Sequence, residues 1–217
     1  MAVRKQANEE LGLPTLDYEF AATPQEMHDA VERIGYPCVV KAPTSKDGEG
    51  FSFVHSDADL ADAWRAADRG LGQGAVVERY IDFDFEVTIL AARSIDPSTD
   101  ELATWFCEPI GTRHREGRLV ESWQPAPLPE AAMDNARSIA ARIVGALASC
   151  GIFSVEMFVS GDDVYFSQVT PRPSRDGLVT FVTQRINQFD LQARATQRLP
   201  IDCLLYTSDA ADDTPCV

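Results

Sequence analysis

The chain has 217 residues, of which 34 are acidic and 19 are basic, so its formal net charge is −15. This balance argues against a duplex nucleic-acid surface, because contacts to phosphates need clustered lysine and arginine. A small polyanion is still allowed, since a nucleotide site needs only a few local cations or a metal ion. No apolar run approaches the ~20 residues of a membrane span. The five cysteines have no metal-ligand spacing. We therefore predict a cytoplasmic protein with buried free thiols and neither a nucleic-acid nor a membrane partner.

Short helices and strands alternate over the first third of the chain. Thr23 and Glu26 form a capping box, and Pro24 at the first helical position predicts a helix to about residue 34. The further predicted elements are strands at 38–41, 51–54 and 75–78 and a helix at 57–68. Elements in this order build a small sheet with helices on one side.

Longer strands are predicted in the remainder of the chain. The predicted elements are strands at 85–92 and 103–110, an irregular stretch at 112–129, a helix at 129–149, a hairpin of strands 152–159 and 164–170, and a helix after Asn187. The fold class is therefore α/β, with helices and largely hairpin-connected strands.

The predicted hairpin carries the most informative polar pair. A three-residue loop at 161–163 places Ser160 opposite Val164, which puts Glu156 opposite Gln168 on the same face. Two oxygen-bearing side chains in largely apolar strands need partners, because burying them unpaired is costly. From this pattern alone, a cross-strand hydrogen bond between Glu156 and Gln168 is favoured. The alternative is a hard-cation site, since Mg²⁺ takes carboxylate oxygens together with substrate phosphates.

A glycine-rich stretch, SKDGEG at 45–50, follows Lys41 at the end of an apolar strand. Spacing alone favours a polar turn and a solvated lysine. The functional alternative is a loop whose backbone N–H groups cover nucleotide phosphates, with Lys41 supplying a positive charge.

Glu78 and Glu86 flank the segment RYIDFDF at 79–85. A connection between two subdomains is a common place for a nucleotide base, with a carboxylate accepting from the ribose hydroxyls. An ordinary acidic linker would show the same pattern.

Four segments taken together resemble the ATP-grasp superfamily: PCVVKAPTSKDGEGFSF, VVERYIDFDFEVTIL, ESWQP and FSVEMFVSGDDVYFSQVTPRP. Within it they are similar to the formate-dependent phosphoribosylglycinamide formyltransferases, from about Arg4 to Pro200. The resemblance implies a lid subdomain with a preceding helix at 1–79 and a larger, mainly antiparallel catalytic subdomain at 80–202. It also implies ATP and Mg²⁺ as cofactors, formate and glycinamide ribonucleotide as substrates, and a homodimer for the full-length protein.

The resemblance also implies roles for individual residues. Lys41 would bind phosphates, and the lid loop would be formed by Lys46, Asp47, Gly48, Glu49, Gly50 and Phe51. The adenine would be lined by Glu78, Arg79, Tyr80 and Ile81, and Glu86 would hold the ribose. Glu156 and Gln168 would face Mg²⁺, and Asp176 would bind the second substrate. No side chain is assigned as an acid, a base or a nucleophile, because phosphoryl transfer depends mainly on positioning and charge neutralisation.

Three residues depart from the family pattern. The family has glutamate at the position of Gln168, and a neutral amide there should lower metal affinity. It usually has lysine between the lid glycines, where this chain has Glu49, a charge that triphosphate would repel. Asp176 is predicted to replace the family's substrate-binding aspartate, although it is shifted by one residue.

Two rival functions remain open from these departures. One is an ATP-grasp ligase for another small carboxylate and amine, and the other is a nucleotide-binding paralogue with impaired catalysis. We also expect the chain to be a fragment truncated at both ends. Residues 203–217 are predicted to be a non-native tail, since CLLYTSDAAD resembles the translation of a sequencing adapter.

Overall fold

A computed structural model describes residues 2–44, 50–96, 98–115, 117–147 and 150–201. The helices in this part of the chain are α1 (Ala2–Lys5), α2 (Pro24–Ile34), α3 (Leu60–Asp68), α4 (Glu130–Leu147), α5 (Thr180–Thr183) and α6 (Gln188–Thr196). The strands are β1 (Tyr18–Ala21), β2 (Cys38–Lys41), β3 (Phe51–Val54), β4 (Ala75–Arg79), β5 (Phe85–Ile95), β6 (Leu102–Phe106), β7 (Ile110–Arg115), β8 (Arg118–Trp123), β9 (Gly151–Ser160) and β10 (Asp163–Thr170). None of the described helices is both long and apolar enough to cross a membrane.

The described residues divide into two compact units, and the first contains 15–82 together with 114–120. Its four strands pair antiparallel in the order β1-β4-β2-β3. Helices α2 and α3 bury Val31 and Ala63 against one face of this sheet, where Cys38, Val40 and Val77 point. Because side chains alternate along a strand, the neighbouring residues of β2 and β4 point to the opposite face.

Half of the predicted capping box is present at the start of α2. The Thr23 hydroxyl accepts a hydrogen bond from the Glu26 amide, whereas the Glu26 carboxylate accepts from the Ala22 amide instead of the Thr23 amide. Helix α2 ends at Gly35, which has a φ of +87°. Strand β1 was not predicted, because its four residues, YEFA, show no clear alternation. It adds an edge strand beside β4.

The second unit contains 2–14, 83–113 and the described residues after 120. Its six-stranded sheet has the order β10-β9-β5-β7-β8, and β6 pairs with β5 beyond β7. Helix α4 packs on one face, where Ile143 belongs to the same buried cluster as Phe153 and Val155. Helix α6 packs on the other face, where Leu191 and Leu90 belong to a second buried cluster. This second face also carries the polar residues of the candidate site.

The N-terminal helix belongs to the second unit by its contacts, although the sequence placed it with residues 15–79. Ala7 and Leu13 are buried in the same apolar cluster as α4. The Phe166 amide donates to the Pro14 carbonyl at 2.8 Å. The boundary at residue 80 stays a prediction, and residues 203–217 lie outside the described part of the chain.

Two predictions for the middle of the chain were wrong. The predicted strand 103–110 is two strands, since β6 ends at Phe106 and β7 begins at Ile110. The stretch expected to be irregular contains the rest of β7 and all of β8. An Arg113–Glu121 ion pair, 2.5 Å from Nη2 to Oε2, lies on these strands. Their charged composition hides the alternation by which strands are recognised.

Candidate functional site

Lys41 and Glu78 form an ion pair on the face of the four-stranded sheet that points away from α2 and α3. Val39 of β2 is directly opposite Glu78 of β4, so Lys41, two residues after Val39 on the same face, is the diagonal neighbour of Glu78. The Lys41 Nζ lies 2.6 Å from the Glu78 Oε2, and the side chains are 26% and 6% exposed. The burial of Glu78 calls for a cation, because an isolated buried carboxylate is costly. The ion pair therefore holds the Lys41 ammonium group at the end of β2, where phosphate binding was predicted.

Aromatic rings surround the start of the segment predicted to read a base. Phe53 packs edge-on against Tyr80 with ring centroids 5.5 Å apart, and Phe51 packs against Phe53 at 5.1 Å. Burial, followed by the negative charge of Asp82, raises the pKa of Tyr80, so its hydroxyl keeps its proton at neutral pH. Arg79 is exposed and pairs with Asp17 at 3.0 Å, while Ile81 is half-buried.

The predicted lid loop is described only at its C-terminal end, Gly50 and Phe51. Lys46, Asp47, Gly48 and Glu49 lie outside the described residues. The Ala42 amide donates to the Gly50 carbonyl at 3.0 Å. Gly50 has a φ of +74°, and a Cβ there would lie 2.9 Å from both the Ala42 Cβ and the Ala66 carbonyl oxygen. Only glycine fits this position, which closes the base of the loop against α3.

Glu86 and Glu156 lie on one face of the six-stranded sheet in the second unit. Thr88 follows Glu86 on the same face of β5 and is directly opposite Glu156 on β9. Both glutamates are half-buried. The two predicted ligands, one for ribose and one for metal, therefore come together on neighbouring strands.

Glu156 and Gln168 are opposite each other as predicted, but for a different reason. Ser160 pairs with Asp163, so the loop has two residues rather than three. A β-bulge between Phe166 and Gln168 then shifts the register by one residue and restores the predicted pair. The expected hydrogen bond is present, because the Gln168 Nε2 donates to the Glu156 Oε1 at 2.8 Å and Oε2 at 2.7 Å.

Asp176 is brought to the same face by a short helical turn after β10. It is 6% exposed, and its Oδ2 accepts a hydrogen bond from the Thr88 hydroxyl at 2.8 Å. The buried Gln188 side chain accepts from the Ser174 amide at 3.0 Å and donates to the Ser174 carbonyl at 2.9 Å. Neither Thr88 nor Gln188 was among the site residues predicted from the sequence. Thr88 alternates with Glu86 and was open to detection, whereas an isolated glutamine at a helix start gives no signal.

A Mg²⁺ ion fits the Glu156 position only in part. A carboxylate is the ligand this ion prefers, but the amide hydrogens of Gln168 point at that carboxylate. Among the described residues, just one group of three metal-ligand types has its atoms within 4.8 Å of one another: His28, Asp29 and Glu32 on α2. Glu156 therefore offers a single carboxylate, and further ligands would have to come from a bound phosphate or a turned amide.

The ESWQP segment has a structural role within the second unit. The Gln124 Nε2 donates to the Glu108 carbonyl at 2.7 Å, and its Oε1 accepts from the Thr183 hydroxyl at 2.6 Å. Trp123 covers Gly111, where a Cβ would lie 2.3 Å from the indole ring. The segment thus ties β8 to α5.

Two of the three described thiols are unsuited to act as nucleophiles. Burial raises the pKa of Cys107 to about 12 and that of Cys38 to about 11. Both of these thiols are free and buried, as predicted, whereas the free thiol of Cys150 is half-buried. A group that stays protonated at neutral pH is a poor nucleophile.

Comparison with known proteins identifies the family. A model of the ATP-grasp domain matches residues 6–189. The formate-dependent phosphoribosylglycinamide formyltransferase of Corynebacterium efficiens is 52% identical over 212 residues, which are 96% of this chain and 53% of that protein. The protein of the same name from Corynebacterium jeikeium is 53% identical over 217 residues, which are 99% of this chain and 53% of that protein. The chain thus spans about half the length of the curated relatives it matches.

Solved structures share the fold. Glycinamide-RNase-transformylase T from Mycobacterium tuberculosis matches with a TM-score of 0.77 and 36% identity, covering 95% of this chain and 54% of that one. The ADP complex of N5-carboxyaminoimidazole ribonucleotide synthetase matches with a TM-score of 0.80 and 28% identity, covering 91% and 51%. These matches confirm the predicted fold. Because the family model covers well over half of its residues, this chain belongs to the ATP-grasp family.

Proposed function

We propose that this chain takes part in the ATP- and Mg²⁺-dependent formylation of glycinamide ribonucleotide by formate, in de novo purine biosynthesis. The observation that carries the proposal is its 52% identity, over 96% of its length, to a formate-dependent phosphoribosylglycinamide formyltransferase. The polar face that bears Glu86, Glu156 and Asp176 supports it.

The first unit would bind the phosphates and the base. An ammonium group has three hydrogens, so Lys41 can contact a phosphate oxygen while it stays bonded to Glu78. The backbone from Glu78 to Ile81 would line the adenine, with Tyr80 packed on Phe53. Residues 46–51 would cover the phosphates and exclude water, which matters because an acyl phosphate is labile.

The second unit would bind the ribose, the metal and the amine substrate. Glu86 would accept hydrogen bonds from the ribose hydroxyls, and Glu156 would hold Mg²⁺ together with phosphate oxygens. Bound Mg²⁺ would neutralise charge on the transferring phosphoryl group. Gln168 would reach the metal through its carbonyl oxygen once its amide has turned. Asp176, held by Thr88, would shape the site of the amine substrate.

The reaction would have two steps, both without a protein nucleophile. A formate oxygen attacks the γ-phosphorus of ATP, the bond to the β-phosphate oxygen breaks, and ADP leaves. The amine nitrogen of glycinamide ribonucleotide then attacks the carbonyl carbon of formyl phosphate. Phosphate leaves, and the nitrogen loses one proton. Positioning and charge neutralisation are what the protein contributes.

The test is ADP formation by the protein with formate and glycinamide ribonucleotide, each omitted in turn. We expect no ADP release without formate and the fastest release when both are present, together with a formylated product detected by mass spectrometry. ADP release that needs a different acid would replace this function with that of a related ligase, as the altered Glu49 and Gln168 positions suggest.

A second candidate function is nucleotide binding with impaired turnover. The observation in its favour is the neutral Gln168, whose amide hydrogens cover the Glu156 carboxylate. ATP binding without turnover at saturating Mg²⁺ would support this candidate. Cytoplasmic location and homodimer formation stay predictions.

A further inference from the structure

We infer that the Gln168 amide takes the place of the cation beside Glu156, so that a divalent metal binds here only together with a nucleotide. The inference rests on the proposed function, because it concerns how the metal enters the proposed ATP site. The inference adds to the proposed function that the metal binds together with the nucleotide and not before it, and it attributes this order to Gln168.

The geometry of the pair supports this role. One amide nitrogen lies 2.8 Å from one oxygen of Glu156 and 2.7 Å from the other, so it approaches both ends of the carboxylate as a metal ion would. The orientation of the amide is set by charge, since turning it around would bring its carbonyl oxygen against the carboxylate. Hydrogen bonds to a charged group are also stronger than neutral ones.

The backbone conformation of β10 places Gln168 opposite Glu156. With the two-residue loop alone, Ser167 would be opposite Glu156, and the β-bulge is what brings Gln168 there instead. Arg4 donates to the Ser167 carbonyl at 2.8 Å, which ties the bulge to the N-terminal helix. The Gln168–Glu156 contact is therefore a feature of the fold rather than a chance meeting of two flexible side chains.

The number of negative charges around the metal decides whether it can displace the Gln168 amide. A free metal ion must break the two Gln168–Glu156 hydrogen bonds and lose bound water, and it gains only the Glu156 carboxylate as a charged ligand. Mg²⁺ loses water reluctantly and usually binds through one or two carboxylates plus substrate phosphates. A nucleotide supplies the missing negative charge, so the metal displaces the amide only when the phosphates arrive with it.

The experiment measures uptake of Mn²⁺, used as the probe, by the full chain with and without ADP, from the electron paramagnetic resonance signal of the free ion. Wild type is compared with Gln168→Glu. In the absence of ADP we expect Gln168→Glu to bind Mn²⁺ about 30-fold more tightly than wild type, because a second carboxylate attracts a divalent ion. With ADP, wild type should take up Mn²⁺ as well. Equal metal affinity of the two proteins without ADP overturns the inference.

Two controls make the result specific. Glu156→Gln, alone and combined with Gln168→Glu, measures Mn²⁺ held elsewhere on the acidic surface, including the His28, Asp29 and Glu32 group. Gln168→Met removes the amide without adding charge, and it should raise Mn²⁺ affinity without ADP about fivefold over wild type, as expected for the loss of competing hydrogen bonds. If Gln168→Glu does not fold, Gln168→Met decides, and no gain in its affinity overturns the inference.

The failure of the proposed function would look different. A wild type that binds no ADP, with or without metal, contradicts the proposed function. The comparison of wild type with Gln168→Glu in the absence of ADP still decides the role of the amide.

Discussion

Glu78 in the first unit and Glu156 in the second unit each contact a side-chain nitrogen, and the two nitrogens differ in charge. Glu78 is 6% exposed and pairs with the Lys41 ammonium at 2.6 Å. Glu156 is half-buried and pairs with the exposed amide of Gln168 at 2.7 and 2.8 Å. A buried carboxylate needs a full charge to offset its lost hydration, whereas a partly hydrated one can be satisfied by a neutral donor.

Because of this difference in burial and charge, we expect the Lys41–Glu78 pair to matter for stability and the Glu156–Gln168 pair to exchange its partner for a ligand. Removing one partner of a buried pair leaves an uncompensated charge, so the Lys41–Glu78 pair should hold the first unit together as well as bind phosphate. The Glu156–Gln168 pair can open at small cost, because water replaces the amide. We therefore expect one carboxylate to stay with its partner and the other to accept a metal that arrives with a nucleotide.

The largest expected effect is that of Lys41→Met. We expect it to lower the free energy of unfolding by about 3 kcal/mol at pH 7.5, because it leaves the Glu78 carboxylate buried without its cation. Urea unfolding followed by fluorescence measures this loss.

Lys5→Met is the matched control for this prediction. Lys5 also pairs with a glutamate, Glu9, but both side chains are more than half exposed. An exposed pair contributes about 0.5 kcal/mol or less. If the two variants lose the same stability, the Lys41–Glu78 pair is not a buried ion pair in solution.

The contrast between the two pairs also marks how far the sequence could lead. Both ends of the strand Cys38–Lys41 were predicted correctly. Its four residues lie between Pro37 and a polar loop, and this leaves room for only one short strand. Its partner Glu78 was assigned to a nucleotide base, not to Lys41. Linear order does not reveal that β4 lies beside β2.

The Glu156–Gln168 pair was predicted from a strand register that assumed a three-residue loop and no bulge. The loop is shorter by one residue than expected, and the bulge at Ser167 compensates. Neither feature has a signature in the sequence, because a bulge depends on contacts from elsewhere in the fold, here Arg4. The strands β7 and β8 were missed for a related reason, since charged residues on both faces leave no period of two.

A smaller effect is expected for Gln168→Glu in the absence of metal and nucleotide. Two facing carboxylates lose two hydrogen bonds and repel, so thermal unfolding in EDTA should show a loss of about 1 kcal/mol at pH 7.5. Adding Mn²⁺ should restore stability in this variant and leave wild type unchanged.

Gln25→Glu is the control for that substitution. The Gln25 amide also donates to a carboxylate, that of Asp29, at 2.9 Å on the surface of α2. A like-charge pair on an exposed helix costs about 0.3 kcal/mol, and Glu in the first turn is favoured by the helix dipole. A loss as large as that of Gln168→Glu would mean that the hairpin pair has no special status.

The smallest expected effect is that of Arg4→Met, which tests whether the bulge holds Gln168 in place. The Ser167 carbonyl loses a charged donor, so the free energy of unfolding should fall by about 0.5–1 kcal/mol. The specific readout is amide hydrogen exchange at Gln168, which should become faster relative to the rest of β10 because the register there loosens. Arg142→Met is the matched control, since Arg142 also donates to a backbone carbonyl, that of Leu11, but not at the bulge. If both variants leave exchange at Gln168 unchanged, the two-residue turn and the strand pairing are enough to place the amide beside Glu156, and the tie to the N-terminal helix serves stability alone.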